Sequence, residues 1–314
     1  MTKKPISVFG ATGAQGGGLA RAILADPDSG FAVRAVTRKP DSDAARALAA
    51  AGAEIVVADL DDAASVVRAM QGAYGAYCLT NFWEHFSPEK ELAQAAIMAA
   101  AAAETGLQHV IWSTLEDTRR FFPVGSGRMP VLMGKYNVPH FDAKGEANQL
   151  FLDRGLPVTL LHTSFYWDNF IHFGMGPAAG PDGTLAITLP MGDAKLPGIA
   201  AADIGRCALG VFKADSTAFG TVGIAGEHLT GHEIAASFSH LLGRPVVYNA
   251  VTPEMYRGFG FPGADDLGNM FQFKRDFEAE FCGLRDVAAS RRLNPTLMNF
   301  GQWLDANRAA FVQG

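Results

Sequence analysis

The stretch Gly10-Ala11-Thr12-Gly13-Ala14-Gln15-Gly16 constrains this chain more than any other. It follows a short apolar run over 6–9 that reads as a strand, and it leads through Gly17 and Gly18 into a helix expected over 15–25. Glycines in that setting let the backbone turn tightly, approach a pyrophosphate closely and pack the helix on the sheet, with the anion at the helix N-terminus. A glycine pattern alone also fits a plain structural turn. Its place at the opening of a βαβ unit points to a dinucleotide, held by Gly10, Thr12, Gly13, Ala14, Gln15 and Gly16.

The first half of the chain continues that unit. Strands are expected over 6–9, 32–37, 54–58, 76–79, 109–113 and 158–162, with helices over 15–25, 43–51, 63–70, 88–105 and 141–154. The alternation predicts an α/β fold, a Rossmann-type doubly wound parallel sheet with right-handed crossovers. Regularity breaks over 121–139 and 174–183, where Gly, Pro and Met read as long loops of the kind that carry function. Beyond 197 the pattern turns mixed, with helices over 203–213, 232–242, 253–258, 266–280 and 299–309 and strands over 221–224 and 246–251. It predicts a smaller C-terminal α/β lobe over the carboxyl edge of the sheet. The division expected is a dinucleotide-binding domain over 1–165, with 200–226 returning to it, and a substrate- or partner-binding lobe mainly over 166–314.

Charge and composition narrow the partners. With 26 Lys+Arg against 32 Asp+Glu the net charge is −6, and the basic residues are scattered, so nucleic acid is not expected. Apolar residues at 48% and charged residues at 18% describe a chain that folds around a core. No run reaches the roughly 18 apolar residues of a membrane span, and residues 1–5 do not read as an export leader. Cys78, Cys207 and Cys282 stand apart from one another and from any His/Cys cluster, so neither a disulfide framework nor a metal site is expected. A cytoplasmic protein fits these features.

The end of the second strand selects among dinucleotides. NAD-selective folds place an acid there for the ribose hydroxyl, whereas this chain has Thr37-Arg38-Lys39-Pro40. Arg38 can fork onto a 2′-phosphate with Lys39 beside it, which favours NADP(H); a solvated turn is the competing reading. Asp59 and Leu60, closing the third strand, are placed to meet adenine, and Thr80, Asn81 and Phe82, after the fourth, approach the middle of the cofactor.

Six motifs, in order GATGAQGG, VTRKP, TNFWE, HFDAKGE, FPGADDLGNMF and LNPTLMNFGQWL, resemble the NmrA-like family, and in particular its HSCARG branch of cytosolic redox sensors. The family is an atypical branch of the short-chain dehydrogenase/reductase superfamily. The resemblance implies an NADP(H) site that adds Lys144, Tyr166, Trp167 and Asn169 to the residues above, and a C-terminal lobe offering a ligand or partner surface. One departure is Ala93, where such relatives can present a cofactor-facing lysine. A second is the superfamily's Tyr-x-x-x-Lys, whose i, i+4 spacing sets phenol and ammonium on one helical face. Here it reads His140-Phe141-Asp142-Ala143-Lys144.

Lys144 can still hold the ribose. His140 either shuttles a proton or sits as a helix cap or solvent-facing residue. Ser113 and Thr114 fall where the superfamily polarises its substrate, and the Phe165–Tyr166–Trp167 cluster either stacks on the nicotinamide or packs between lobes. Two functions follow. One is a redox-state sensor or regulator with a protein partner; the other is an NADPH-dependent oxidoreductase acting on a quinone or enone, with Lys144 or His140 as proton donor. An oligomer is possible in either case.

Overall fold

The computed structural model describes residues 2–214 and 220–312. Its strands are β1 (Lys4–Phe9), β2 (Phe31–Thr37), β3 (Glu54–Val57), β4 (Gly75–Cys78), β5 (His109–Thr114), β6 (Val158–His162), β7 (Phe165–Tyr166), β8 (Ala178–Ala179), β9 (Leu185–Leu189), β10 (Leu196–Ile199), β11 (Gly220–Gly223), β12 (Glu227–Leu229) and β13 (Val246–Ala250).

Seven of them form one sheet, in the order β11-β6-β5-β4-β1-β2-β3, with every pairing parallel. Central strands of such a sheet are covered on both faces and read as continuous runs rather than alternating ones; β4 and β5 are buried at every position. Helices start where capping residues stand. Ser42 caps Asp43–Ala50, Asp62 caps Ala63–Met70, and Ser87 caps Pro88–Glu104 with Pro88 at its first position. Apolar cores lie on the two faces of the sheet, one built on Ile6, Val8, Leu19 and Ile204, the other on Trp112, Phe151 and Met98.

Helix Ala201–Lys213 lies against helix Ala14–Ala25. The two touch through glycines: a Cβ on Gly205 would stand 2.0 Å from the Leu19 nitrogen, and one on Gly18 would stand 3.0 Å from the Ala202 carbonyl oxygen. β11 follows as the edge strand beside β6, while residues 215–219 of the stretch expected to return to the first domain lie outside the described residues.

The C-terminal lobe carries two three-stranded sheets, β12-β10-β7 and β13-β9-β8, around a third core rich in rings: Phe165, Phe170, Phe238, Phe271, Phe300 and Trp303. Three expectations are corrected here. The helix expected over 266–280 is two, Ala264–Asp276 and Glu278–Leu284, because the backbone leaves the helical region at Phe277, whose ring stacks on Phe122 with centroids 5.5 Å apart. The one expected over 299–309 divides likewise, into Phe300–Ala306 and Ala309–Val312. Strands β8, β9, β10 and β12 and helix Val287–Leu293 stand where no element was expected.

No helix among the described residues is long and apolar enough to cross a membrane.

Candidate functional site

The sheet order reverses between β1 and β4, so a crevice opens beyond their carboxyl ends. β1 runs into the glycine turn and β4 into Thr80. Gly10 takes a φ of +63°, in the left-handed region that favours glycine. Gly13 caps helix Ala14–Ala25 with no side-chain hydrogen bond, and no acid stands in the first turn. The positive end of the helix therefore faces the crevice uncompensated. Gly16 has no room for a side chain, since a Cβ would lie 2.5 Å from the Gly10 carbonyl oxygen. Gly10, Thr12, Gly13 and Ala14 form an exposed lip. This cradle of exposed backbone suits a diphosphate.

Gln15 is turned inward. Its Oε1 accepts from Tyr77 Oη at 2.6 Å and from Ser113 Oγ at 2.8 Å, and its Nε2 donates to Tyr166 Oη. The first helix is thereby tied to β4, β5 and β7. Burial pushes the Tyr166 phenol up to about 12 and Tyr77 higher still, so both are neutral donors at ordinary pH.

At the end of β2, Arg38 and Lys39 are exposed, as is Asp59 past β3, with Leu60 half-buried beside it. Arg38 is engaged by a carboxylate: Nη1 lies 2.7 Å from Glu84 Oε1, and Nη2 donates to Oε2 at 2.9 Å. Glu84 belongs to the short helix Phe82–His85 that directly follows Thr80 and Asn81.

Lys144 lies on helix Pro139–Leu152, and its three N–H donors have three acceptors: Thr80 O at 3.1 Å, Thr80 Oγ1 at 2.8 Å and Glu91 Oε1 at 2.6 Å. Glu91 is fully buried, also accepts from Thr80 Oγ1, and has His85 Nε2 3.6 Å from its other oxygen. His140, one helical turn before Lys144, does not face solvent, which corrects one of its sequence readings. Its Nδ1 lies 2.6 Å from Asp266 Oδ1 in the C-terminal lobe, and its ring packs on Trp83 with centroids 4.8 Å apart. Lys144 and His140 thus belong to separate networks.

Two other expected contacts are placed differently from the rest. Phe82 is 2% exposed, packed under Trp83, Phe86 and His140, so its ring has no face toward the crevice. Trp167 is equally buried in the lobe core against Phe300 and Trp303. Asn169 is half-buried at the start of helix Asn169–His172, and Asn81 is exposed. Neighbours on β7 face opposite ways, Tyr166 to Gln15 and Phe165 to Phe170.

Sequence reasoning missed Glu84, Glu91, Tyr77, Glu116, Lys274 and Arg285. Glu116, just past β5, pairs with Arg285 in a fully buried fork of 2.5 and 3.0 Å, and Arg285 also donates twice to the Thr163 carbonyl past β6. Burial alone would raise the Glu116 carboxyl, but Arg285 and His162 hold it far below its usual range. Lys274 is 3% exposed, with its ammonium over Phe141, Phe165, Phe271 and Phe281 at 5.3–5.9 Å, and among the described residues it makes no ion pair. Each was invisible because most of what surrounds it comes from other elements.

Sheet order, crevice and second lobe make this a Rossmann-type α/β protein with its candidate site at the switch point. The model of the NmrA-like family matches residues 2–300, and the chain belongs to that family. It is 31% identical over 290 residues to FrzB of Cladobotryum sp, an NmrA-like family domain-containing oxidoreductase, covering 85% of this chain and 83% of that one. It is 26% identical over 303 residues to the similarly described ptmS of Penicillium ochrochloron, covering 90% and 87%. Among solved structures, NmrA, a negative transcriptional regulator, in complex with NADP superposes with a TM-score of 0.78 at 24% identity over 96% of this chain and 94% of that one. The Citrobacter sp. triphenylmethane reductase complexed with NADP(H) gives 0.73 at 18% identity, over 98% and 99%. At these identities the two structures share the fold.

Proposed function

We propose that this chain binds NADP(H) in the crevice and acts as a redox-state sensor or regulator of the HSCARG type. The observation that carries the reading is the pairing of an open cradle with an occupied catalytic position. The glycine turn presents bare backbone at the switch point, while His140 is held by Asp266 and Lys144 by Thr80 and Glu91.

In this reading Gly10–Gly16 hold the pyrophosphate, Arg38 and Lys39 the 2′-phosphate, and Asp59 and Leu60 the adenine. Thr80 and Asn81 line the middle, and Lys144, Tyr166 and Asn169 the nicotinamide end. Phe82 contributes backbone only, and Trp167 supports the lobe. When bound, NADPH supplies a transferable hydride. Sensing requires that a partner distinguish cofactor states, because a ligand indifferent to two conformations shifts neither.

A second reading, an NADPH-dependent reductase of a quinone or enone, is favoured by one feature: the Tyr166 phenol accepts from Gln15 Nε2 and so keeps its own proton, a neutral donor of the kind a carbonyl oxygen needs, whereas the Ser113 proton is already given to Gln15 Oε1. Oxidation of NADPH by the purified protein across quinones, enones and aldehydes separates the two, with Lys144→Ala as control. The sensor reading expects measurable NADPH binding and no turnover above background. Turnover abolished by Lys144→Ala with cofactor binding retained would establish the reductase.

A further inference from the structure

We infer that Glu84 is a resident stand-in for the cofactor's 2′-phosphate, occupying Arg38 in its absence and linking that corner to the C-terminal lobe through Trp83. The inference rests on the assignment of Arg38 to the 2′-phosphate and adds what regulates that contact.

The Nη1/Nη2 edge of a guanidinium binds a carboxylate or a phosphate through the same two parallel N–H bonds, so at that edge one excludes the other. Glu84 already holds the two terminal nitrogens of Arg38, Nη1 and Nη2, at 2.7 and 2.9 Å. The pair is about half exposed on each side, and pairs of that kind contribute little stability, so a phosphate can displace the carboxylate at small cost. A ribose hydroxyl cannot, because it brings no charge to compete.

The helix that carries Glu84 is anchored on its other side to the lobe. Trp83 packs on His140, whose Nδ1 meets Asp266. Trp83 also fills the space over Gly263, where a Cβ would stand 2.9 Å from its ring, and Gly263 opens the helix that bears Asp266. Phe86 ends the short helix at a φ of +53°, left-handed and unfavourable for phenylalanine, so the segment is held by its contacts at both ends rather than by its own preference. Freeing Glu84 releases one of the two ends. NADP(H) and NAD(H) then differ in what they do to the lobe as well as in affinity.

Calorimetric titration of the full chain with NADP+ and NAD+ tests the competition. Glu84→Gln, which keeps shape and removes charge, is expected to tighten NADP+ about two- to five-fold, the size of an exposed ion pair, and to leave NAD+ unchanged. NADP+ affinity that stays the same or falls, while Arg38→Ala still weakens NADP+ selectively, would overturn the stand-in role and make Glu84 a positioner of Arg38. Equal losses of NADP+ and NAD+ in Arg38→Ala would instead remove the 2′-phosphate assignment on which the inference rests.

Amide hydrogen exchange with 2′,5′-ADP and with 5′-AMP, each at saturation, tests the link to the lobe. Altered exchange over 82–86 and 259–266 is expected with 2′,5′-ADP alone. The same response to both, or to neither, would overturn it.

Discussion

Lys274 shows what a single residue can cost. Its ammonium is surrounded by rings, and burial depresses it to about 7 from an ordinary 10.5, with Arg285 adding to the shift and Glu116 opposing it. A folded-state pKa below the unfolded one means that the unfolded chain binds more protons between those two values, so stability rises with pH across that window. The slope from this one group is about 1.4 kcal/mol per pH unit. Lys274→Met should therefore raise the denaturation midpoint near pH 7, with the advantage fading toward pH 10.5; a difference between the two proteins that does not vary with pH would refute the burial argument. Nothing in the sequence around Lys274 announces a buried cation. Residues such as Arg38, Thr80 and Lys144 could be singled out because they stand at strand ends or motif positions, whereas Glu84 and Glu91, which occupy Arg38 and Lys144, look like ordinary acids in the first turns of helices. Position is written locally; pairing is made by the fold.

At the scale of elements, helix Ala14–Ala25 packs on helix Ala201–Lys213 as well as on the sheet. Their glycine contact leaves no space for a methyl group at Gly205, where the nearest atoms are backbone and cannot swing aside. Gly205→Ala should lower stability by roughly 1–3 kcal/mol, read as a fall in the urea midpoint with little change in slope. Because the same helix presents the glycine cradle, nucleotide affinity should weaken as well; an unchanged midpoint would show that the helices separate without penalty. Elements of the first half were legible because each is bounded by its own caps and turns, as with Ser42, Asp62 and Ser87-Pro88. Those between 166 and 200 were not, since β8 and β10 are short and take their strand geometry from neighbours in the lobe sheets. The break at Phe277 was hidden for a related reason: helix-forming residues run through it, and aromatic packing on Phe122 and Phe273 redirects the backbone.

For the whole molecule, the Arg285–Glu116 fork joins the lobe to the ends of β5 and β6. Removing one partner of a buried pair strands the other charge, at a cost of about 3–5 kcal/mol. Arg285→Met should accordingly unfold at markedly lower temperature, and the double replacement Arg285→Met with Glu116→Leu should recover much of the loss. The Glu116 pKa is depressed in the folded state, so its contribution is present above the ordinary carboxylate range and is lost as pH falls; the double variant should lose less stability on acidification than the parent, measured as thermal midpoint against pH. The α/β class was readable from the alternation of strands and helices, but the contact between the strand ends and the C-terminal segment depends on residues far apart in the chain. The parallel sheet, too, is completed from a distance, with β11 arriving beside β6 only after most of the lobe's first strands have been made. During synthesis, then, β6 leaves the ribosome with an unpaired edge and the first helix without its glycine-matched neighbour. Parallel pairing over such separations is slow and leaves edges open to other chains, so the half-made chain exposes an edge that the finished sheet pairs; a chaperone that shields β6 should raise the soluble yield, and slowing translation, which prolongs the exposed state, should lower it.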